Sequence, residues 1–129
     1  MNTEKQIVGT WTLAGFQIED TEGKRRDWGK NAHGLLIYAP TGHMSVSINK
    51  DIENDPEQSE AENRFDSTLF YSGTYSVEGN TITHKVTEAS NPDRIGRDMI
   101  RYAEFEKDLV VLTTPKESFG RAILTWRKV

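Results

Sequence analysis

Leu69-Phe70-Tyr71-Ser72-Gly73-Thr74-Tyr75-Ser76-Val77-Glu78-Gly79-Asn80-Thr81-Ile82-Thr83-His84-Lys85-Val86-Thr87 is the stretch that decides the architecture of this chain. Its bulkier apolar side chains fall on the odd positions Leu69, Tyr71, Tyr75 and Val77, then on the even positions Ile82 and Val86. Successive side chains of a strand point to opposite faces, so this pattern predicts two half-buried strands, Leu69–Val77 and Thr81–Thr87. Between them Glu78-Gly79-Asn80 supplies a glycine able to take the positive φ of a bulged hairpin turn.

The same period-2 signal extends in both directions. Downstream, Asn91-Pro92 opens an irregular loop to Gly96, and strands follow at about Met99–Phe105, Leu109–Thr113 and Arg121–Arg127. Lys107-Asp108 turns the first pair, and Pro115 to Gly120 connects the second. Upstream, His33–Tyr38 and His43–Ile48 flank the turn Pro40-Thr41-Gly42. The first strand runs from Ile7 to Ile18, and its apolar parity changes from odd (Ile7, Trp11, Leu13) to even (Phe16, Ile18). A one-residue phase change at Ala14-Gly15 predicts a β-bulge. Thr21-Glu22-Gly23-Lys24 reads as a turn and Trp28-Gly29 as a looser segment.

About eight strands with short links predict a closed, up-and-down antiparallel β-barrel, an all-β fold. One segment breaks the alternation. From Asp51 to Asp66 acidic residues crowd in, and Asp55-Pro56-Glu57 resembles an N-cap followed by proline at the first helical position. A short helix is therefore expected after the third strand, from Pro56 to about Phe65, lying across a barrel end on Ala61 and Phe65.

Composition narrows the functional classes. The 129 residues carry a formal charge of −4, which argues against a nucleic-acid partner. The run Lys24-Arg25-Arg26 stops at Asp27 and reads as a solvated hairpin end. There is no cysteine, hence no disulfide framework or thiolate chemistry. The polar opening Met1-Asn2-Thr3-Glu4-Lys5-Gln6 lacks a signal-peptide core, and no stretch reaches the roughly 20 apolar residues of a membrane span. A cytoplasmic protein of one domain, residues 1–129, without a membrane partner is expected, either monomeric or homodimeric. No phosphate loop, nucleophile elbow or dinucleotide fingerprint is present. His33, His43 and His84 are dispersed, so neither a metal site nor a cofactor is expected.

Several motifs resemble one family. Gly9-Thr10-Trp11 is similar to the glycine-x-tryptophan signature of lipocalins. Leu36-Ile37-Tyr38-Ala39-Pro40-Thr41-Gly42-His43-Met44-Ser45, the stretch Tyr71–His84 and the closing Leu124-Thr125-Trp126-Arg127 resemble the small bacterial and fungal lipocalin-like domain proteins. The resemblance covers nearly the whole chain and implies a lipocalin-like barrel. It also implies that Trp11 plugs the closed end beneath a late-strand arginine, for which Arg127 is the candidate. Fungal relatives in natural-product biosynthesis imply small polycyclic or polyketide-like molecules as ligands. Lys85 stands where many relatives carry a second histidine. The signal peptide and disulfide of secreted lipocalins are missing as well, which argues against extracellular transport.

Parity then selects residues for the interior. His84 shares a face with Ile82 and Val86 and is expected inside, either as a core histidine or as a ligand contact or general base. Arg101 shares a face with Met99, Ala103 and Phe105; an inward guanidinium needs an internal carboxylate or tyrosine, or an acidic group on a ligand. Tyr38, Tyr71 and Tyr75 combine apolar area with an orienting hydroxyl. The leading expectation is a binding protein for a small hydrophobic molecule with an acidic or carbonyl group, lined by Tyr38, Tyr71, Tyr75, His84 and Arg101. The acidic helix and the Asn91–Arg97 loop would cover the mouth. Its rivals are a cofactor-independent isomerase, cyclase or dehydratase with His84 and Arg101 as catalytic residues, and a structural barrel packed solid.

Overall fold

The chain is described by a computed structural model covering residues 2–129; Met1, counted within the expected domain, lies outside the described residues. These residues form strands β1 (Gly9–Glu19), β2 (Arg25–Asp27), β3 (His33–Tyr38), β4 (His43–Asn49), β5 (Thr68–Glu78), β6 (Thr81–Ala89), β7 (Asp98–Glu106), β8 (Leu109–Thr113) and β9 (Arg121–Lys128). Two short helices, α1 (Thr3–Ile7) and α2 (Glu60–Phe65), and a 3₁₀ turn (Pro92–Arg94) complete the order. All strand pairs are antiparallel, and β1 pairs with β9 to close the circuit β1-β3-β4-β5-β6-β7-β8-β9. The fold is thus the expected eight-stranded barrel, with β2 added beside the last residues of β1.

Closure depends on β1 serving two neighbours along one edge. Gly9–Thr12 pair with β3, whereas Gln17–Glu19 pair with β2. Its other edge follows β9 throughout, with a register shift between Leu13 and Gly15. The bulge turns Trp11 inward on one side and Phe16 on the other, which is the phase change read from the sequence. A second shift at Ser72/Gly73 in β5 was not expected; Gly73 faces Val86 while Ser72 faces Glu88.

The links sort by length onto the two ends of the barrel. One end carries the tight turns through Gly42, Gly79 and Lys107, all with positive φ. At this end the first strand departs from expectation. Asn2 caps α1 by accepting from the Glu4 N–H, Ile7 is fully buried, and the strand begins only at Gly9. The Trp11 indole N–H donates to the Ile7 carbonyl at 2.9 Å, fastening α1 across the end. Lys128, not Arg127, lies over the Trp11 ring, at 4.6 Å from its centroid, and its Nζ also donates to the Gln6 and Val8 carbonyls. Parity explains the correction: Trp126 points inward, so its neighbour Arg127 points out, towards Asp108.

The opposite end carries the long links. Here α2 is shorter than expected and lies differently. Ser59 caps it in a reciprocal box with Glu62, while the Asp55 carboxylate accepts from the Glu57 N–H in the turn before it. Ala61 and Phe65, expected to rest on the barrel end, are both exposed, and the buried residue of α2 is Asn63. Glu19 binds Arg25 and Arg121, each at 2.9 Å, and so ties β1, β2 and β9 together at the rim.

Gly73→Ala tests the second bulge. A Cβ there would sit 1.8 Å from the Lys85 carbonyl oxygen, which is backbone and cannot swing aside. Urea denaturation should show a loss of about 1–3 kcal/mol, the usual cost of overpacking. An unchanged midpoint would mean that the β5–β6 pairing slips freely.

Candidate functional site

The barrel is not filled by its side chains. A cavity of about 570 Å³ opens at the end with the long links, as the leading expectation requires and the rival of a solidly packed barrel does not. Its deeper wall is apolar, with Leu36, Val46, Ile48, Leu112, Leu124 and Trp126. At the mouth Trp28 stacks on Phe16, with ring centroids 4.6 Å apart, and Lys50 covers its other face at 4.5 Å. The 3₁₀ turn and the residues after it bring Arg94 and Arg97 to the rim, so the Asn91–Arg97 loop does border the opening. Helix α2 contributes nothing to the lining.

His84 projects inward from β6, as parity requires, and is 2% exposed. Its Nε2 lies 2.6 Å from the Tyr38 hydroxyl and its Nδ1 2.7 Å from the Tyr71 hydroxyl. Burial, followed by the charge of Arg101, pushes its pKa down from 6.5 to about 3, so the ring is neutral at pH 7. Both tyrosine hydroxyls are held above their ordinary range, chiefly by burial, and are likewise neutral. A general-base role for His84 is not supported by these surroundings: both ring nitrogens are occupied and the ring has little affinity for a proton. A neutral imidazole has one donor and one acceptor, so one tyrosine donates to it and the other accepts from it. The accepting tyrosine keeps a hydroxyl proton in need of a partner, which costs about 1–3 kcal/mol if buried without one.

Arg101 takes the inward face of β7 and lines the cavity beside Tyr71 and His84. One guanidinium N–H donates to the Ile100 carbonyl at 2.8 Å. Its charge, with that of Arg94, opposes the burial that raises the Tyr71 hydroxyl. Among the described residues no carboxylate forms an ion pair with Arg101, Arg94 or Arg97. Of the internal partners expected for Arg101, a carboxylate or a tyrosine, no carboxylate is found among the described residues and Tyr71 is the tyrosine beside it.

Two expected lining residues lie elsewhere. Tyr38 is fully buried behind His84, and Tyr75 packs edge-on against Tyr38 at 4.8 Å while donating to the Ala39 carbonyl. Tyr38 thus touches the cavity only through His84. Phe16, Trp28, Arg94, Arg97 and Trp126 also line the cavity, although alternation along the chain does not mark them as lining residues. A lone tryptophan in the polar stretch 24–32 and two arginines in a long link were the available signals. The Trp126 indole N–H is buried and has no hydrogen-bond partner among the described residues.

A closed up-and-down barrel, plugged at one end and hollow at the other, defines a lipocalin-like architecture. The chain belongs to the lipocalin-like domain family, whose sequence profile matches residues 8–129. No curated protein sequence matches it. Among solved structures it is similar to a lipocalin-like protein from Bacteroides uniformis, with a TM-score of 0.53 and 16% identity over 96% of this chain and 99% of that one. It is also similar to a redesigned β-barrel (TM-score 0.53, 8% identity, 98% of this chain and 94% of the other). A de novo designed fluorescence-activating β-barrel gives a TM-score of 0.51 at 13% identity, covering 100% of this chain and 99% of that one. At these identities the likeness establishes the fold, and function rests on the site itself.

The depressed His84 pKa has a consequence for stability. The folded protein binds its proton near pH 3 and the unfolded chain near 6.5, so the stabilisation is complete above pH 6.5 and lost as pH falls towards 3. Denaturation from pH 7 to 4 should show stability falling by up to about 1.4 kcal/mol per pH unit within that window. His84→Gln should flatten this dependence while lowering stability at pH 7. Equal slopes in both proteins would show that His84 is not buried neutral.

Proposed function

We propose that this protein is an intracellular binding protein for a small hydrophobic molecule carrying an acidic or carbonyl group, held in the barrel cavity. The observation that carries this reading is Arg101, a cation inside a largely apolar cavity with no carboxylate partner among the described residues. Arg101 is half-buried, and even partial withdrawal of a guanidinium from water has a cost that an acidic ligand group would offset. The volume supports the reading as well, since about 570 Å³ lies within the usual range for small-molecule sites. Three arginines against the two carboxylates Asp98 and Glu117 bias the lining towards anions.

Tyr71, His84 and Arg101 are the ligand-facing members of the expected set, with Tyr38 behind His84 and Tyr75 supporting Tyr38. The enzyme reading needs a proton acceptor at neutral pH, and the occupied, neutral His84 is poorly suited to it. Binding is accordingly the reading adopted. The ligand reaches the cavity between Trp28 and the Arg94–Arg97 rim, with no nucleic-acid or membrane partner required.

Calorimetry with 2-naphthoate and 2-naphthamide tests this directly, because the two differ in charge and hardly in shape. The acid should bind at least about tenfold more tightly, the worth of one charge-assisted hydrogen bond. Arg101→Met should erase that preference and weaken the amide, whose carbonyl is a neutral acceptor, less than the acid. Affinities for both the acid and the amide that Arg101→Met leaves unchanged would contradict the proposal.

A further inference from the structure

The hydrogen-bond chain beside the cavity has a direction, and burial sets it. The Tyr38 hydroxyl has one partner among the described residues, the His84 Nε2, and the ring is completely buried. If Nε2 carried the proton, the Tyr38 oxygen would accept it and the Tyr38 hydroxyl proton would be stranded in the core. If Tyr38 instead donates to Nε2, the imidazole proton sits on Nδ1 and is donated to the Tyr71 oxygen. The surplus proton is then that of Tyr71, the one tyrosine of the pair that lines the cavity. The charge of Arg101 favours the opposite tautomer, since it repels an N–H directed towards it. That effect is spread across an intervening hydroxyl and is smaller than the cost of a stranded buried proton.

We propose that Tyr71 and Arg101 form a two-donor site for an anionic ligand oxygen (carboxylate, enolate or phenolate), with His84 and Tyr38 as positioning residues. This rests on the binding reading above and narrows it. Tyr71 contributes its hydroxyl proton and Arg101 a guanidinium N–H beside it. His84 contacts no ligand in this arrangement; by donating to the Tyr71 oxygen it leaves the Tyr71 proton free to point towards the cavity. An anionic oxygen is the strongest acceptor for two converging donors, one of them a cation, whereas a protonated acid or an alcohol offers them only a neutral and weaker acceptor. The ligand is therefore held as its deprotonated form, and its own pKa falls on binding.

Two measurements on the full chain test this. Side-chain nitrogen NMR of the 15N-labelled, ligand-free protein at pH 7 should show His84 protonated at Nδ1 and bare at Nε2. A proton on Nε2 would overturn the relay whatever the ligand results. The second uses 4-nitro-1-naphthol, whose phenolate is coloured, titrated against pH in the presence of excess protein. The bound probe should remain phenolate at pH values where the free probe is protonated. Tyr71→Phe should weaken phenolate binding at least about tenfold and raise the bound probe's pKa by about one unit. Tyr38→Phe should move both quantities in the same direction without touching the probe. Binding by the unaltered protein that Tyr71→Phe leaves intact would overturn the donor pair alone. Failure of the unaltered protein to bind the probe in either form would count against the donor pair and the binding reading together.

Discussion

The pairing of β1 with β9 is the constraint on which the rest of this molecule depends. Eight antiparallel strands form a closed circuit only if the first meets the last, and until they do each leaves a row of unpaired backbone groups at an edge. The Leu13/Gly15 bulge lets one strand begin beside β3, end beside β2 and follow β9 throughout. The same irregularity moves the inward face from Trp11 to Phe16. One residue at the closed end and one at the open end are thereby committed to different tasks. Trp11 becomes the floor, held by the Ile7 carbonyl and covered by Lys128, and Phe16 becomes part of the mouth, stacked on Trp28.

Once the circuit is closed, alternation along β5, β6 and β7 delivers Tyr71, His84 and Arg101 to the interior. They solve different electrostatic problems. His84 avoids carrying a charge and is satisfied at both nitrogens by tyrosines. Arg101 brings a guanidinium to the cavity and, among the described residues, meets a backbone carbonyl and a neutral phenol. The histidine is thus internally complete, whereas the arginine is not. That asymmetry is why the account places recognition at Arg101 and Tyr71 and gives His84 an orienting role.

Much of this was legible from residue order. Turn residues at Gly42, Gly79 and Lys107-Asp108 marked the tight end, and the parity change at Ala14-Gly15 located the bulge. Inward Arg101 followed from its sharing a face with Met99, Ala103 and Phe105. Other features escaped because they depend on distances between segments far apart in the chain. Tyr38 and His84 are 46 residues apart, and parity alone cannot distinguish a tyrosine lining a cavity from one lodged behind a histidine. The helix after the third strand is present and ends at Phe65 as expected, but it starts later than Pro56 because the reciprocal pair Ser59 and Glu62, rather than Asp55, satisfies the backbone N–H groups at its start. Lys128 displaced Arg127 over Trp11 because a lysine one residue later had the correct parity and enough length to reach.

The central claim is that the cavity exists to hold a hydrophobic acid against Arg101. Native mass spectrometry after incubation with an equimolar mixture of hydrophobic carboxylic acids tests it most directly, because it reads occupancy without assuming which acid fits. The account predicts a one-to-one complex with a subset of the acids, absent from Arg101→Met at the same concentrations. A protein that stays empty, or an Arg101→Met variant that retains the same acids to the same extent, would contradict it.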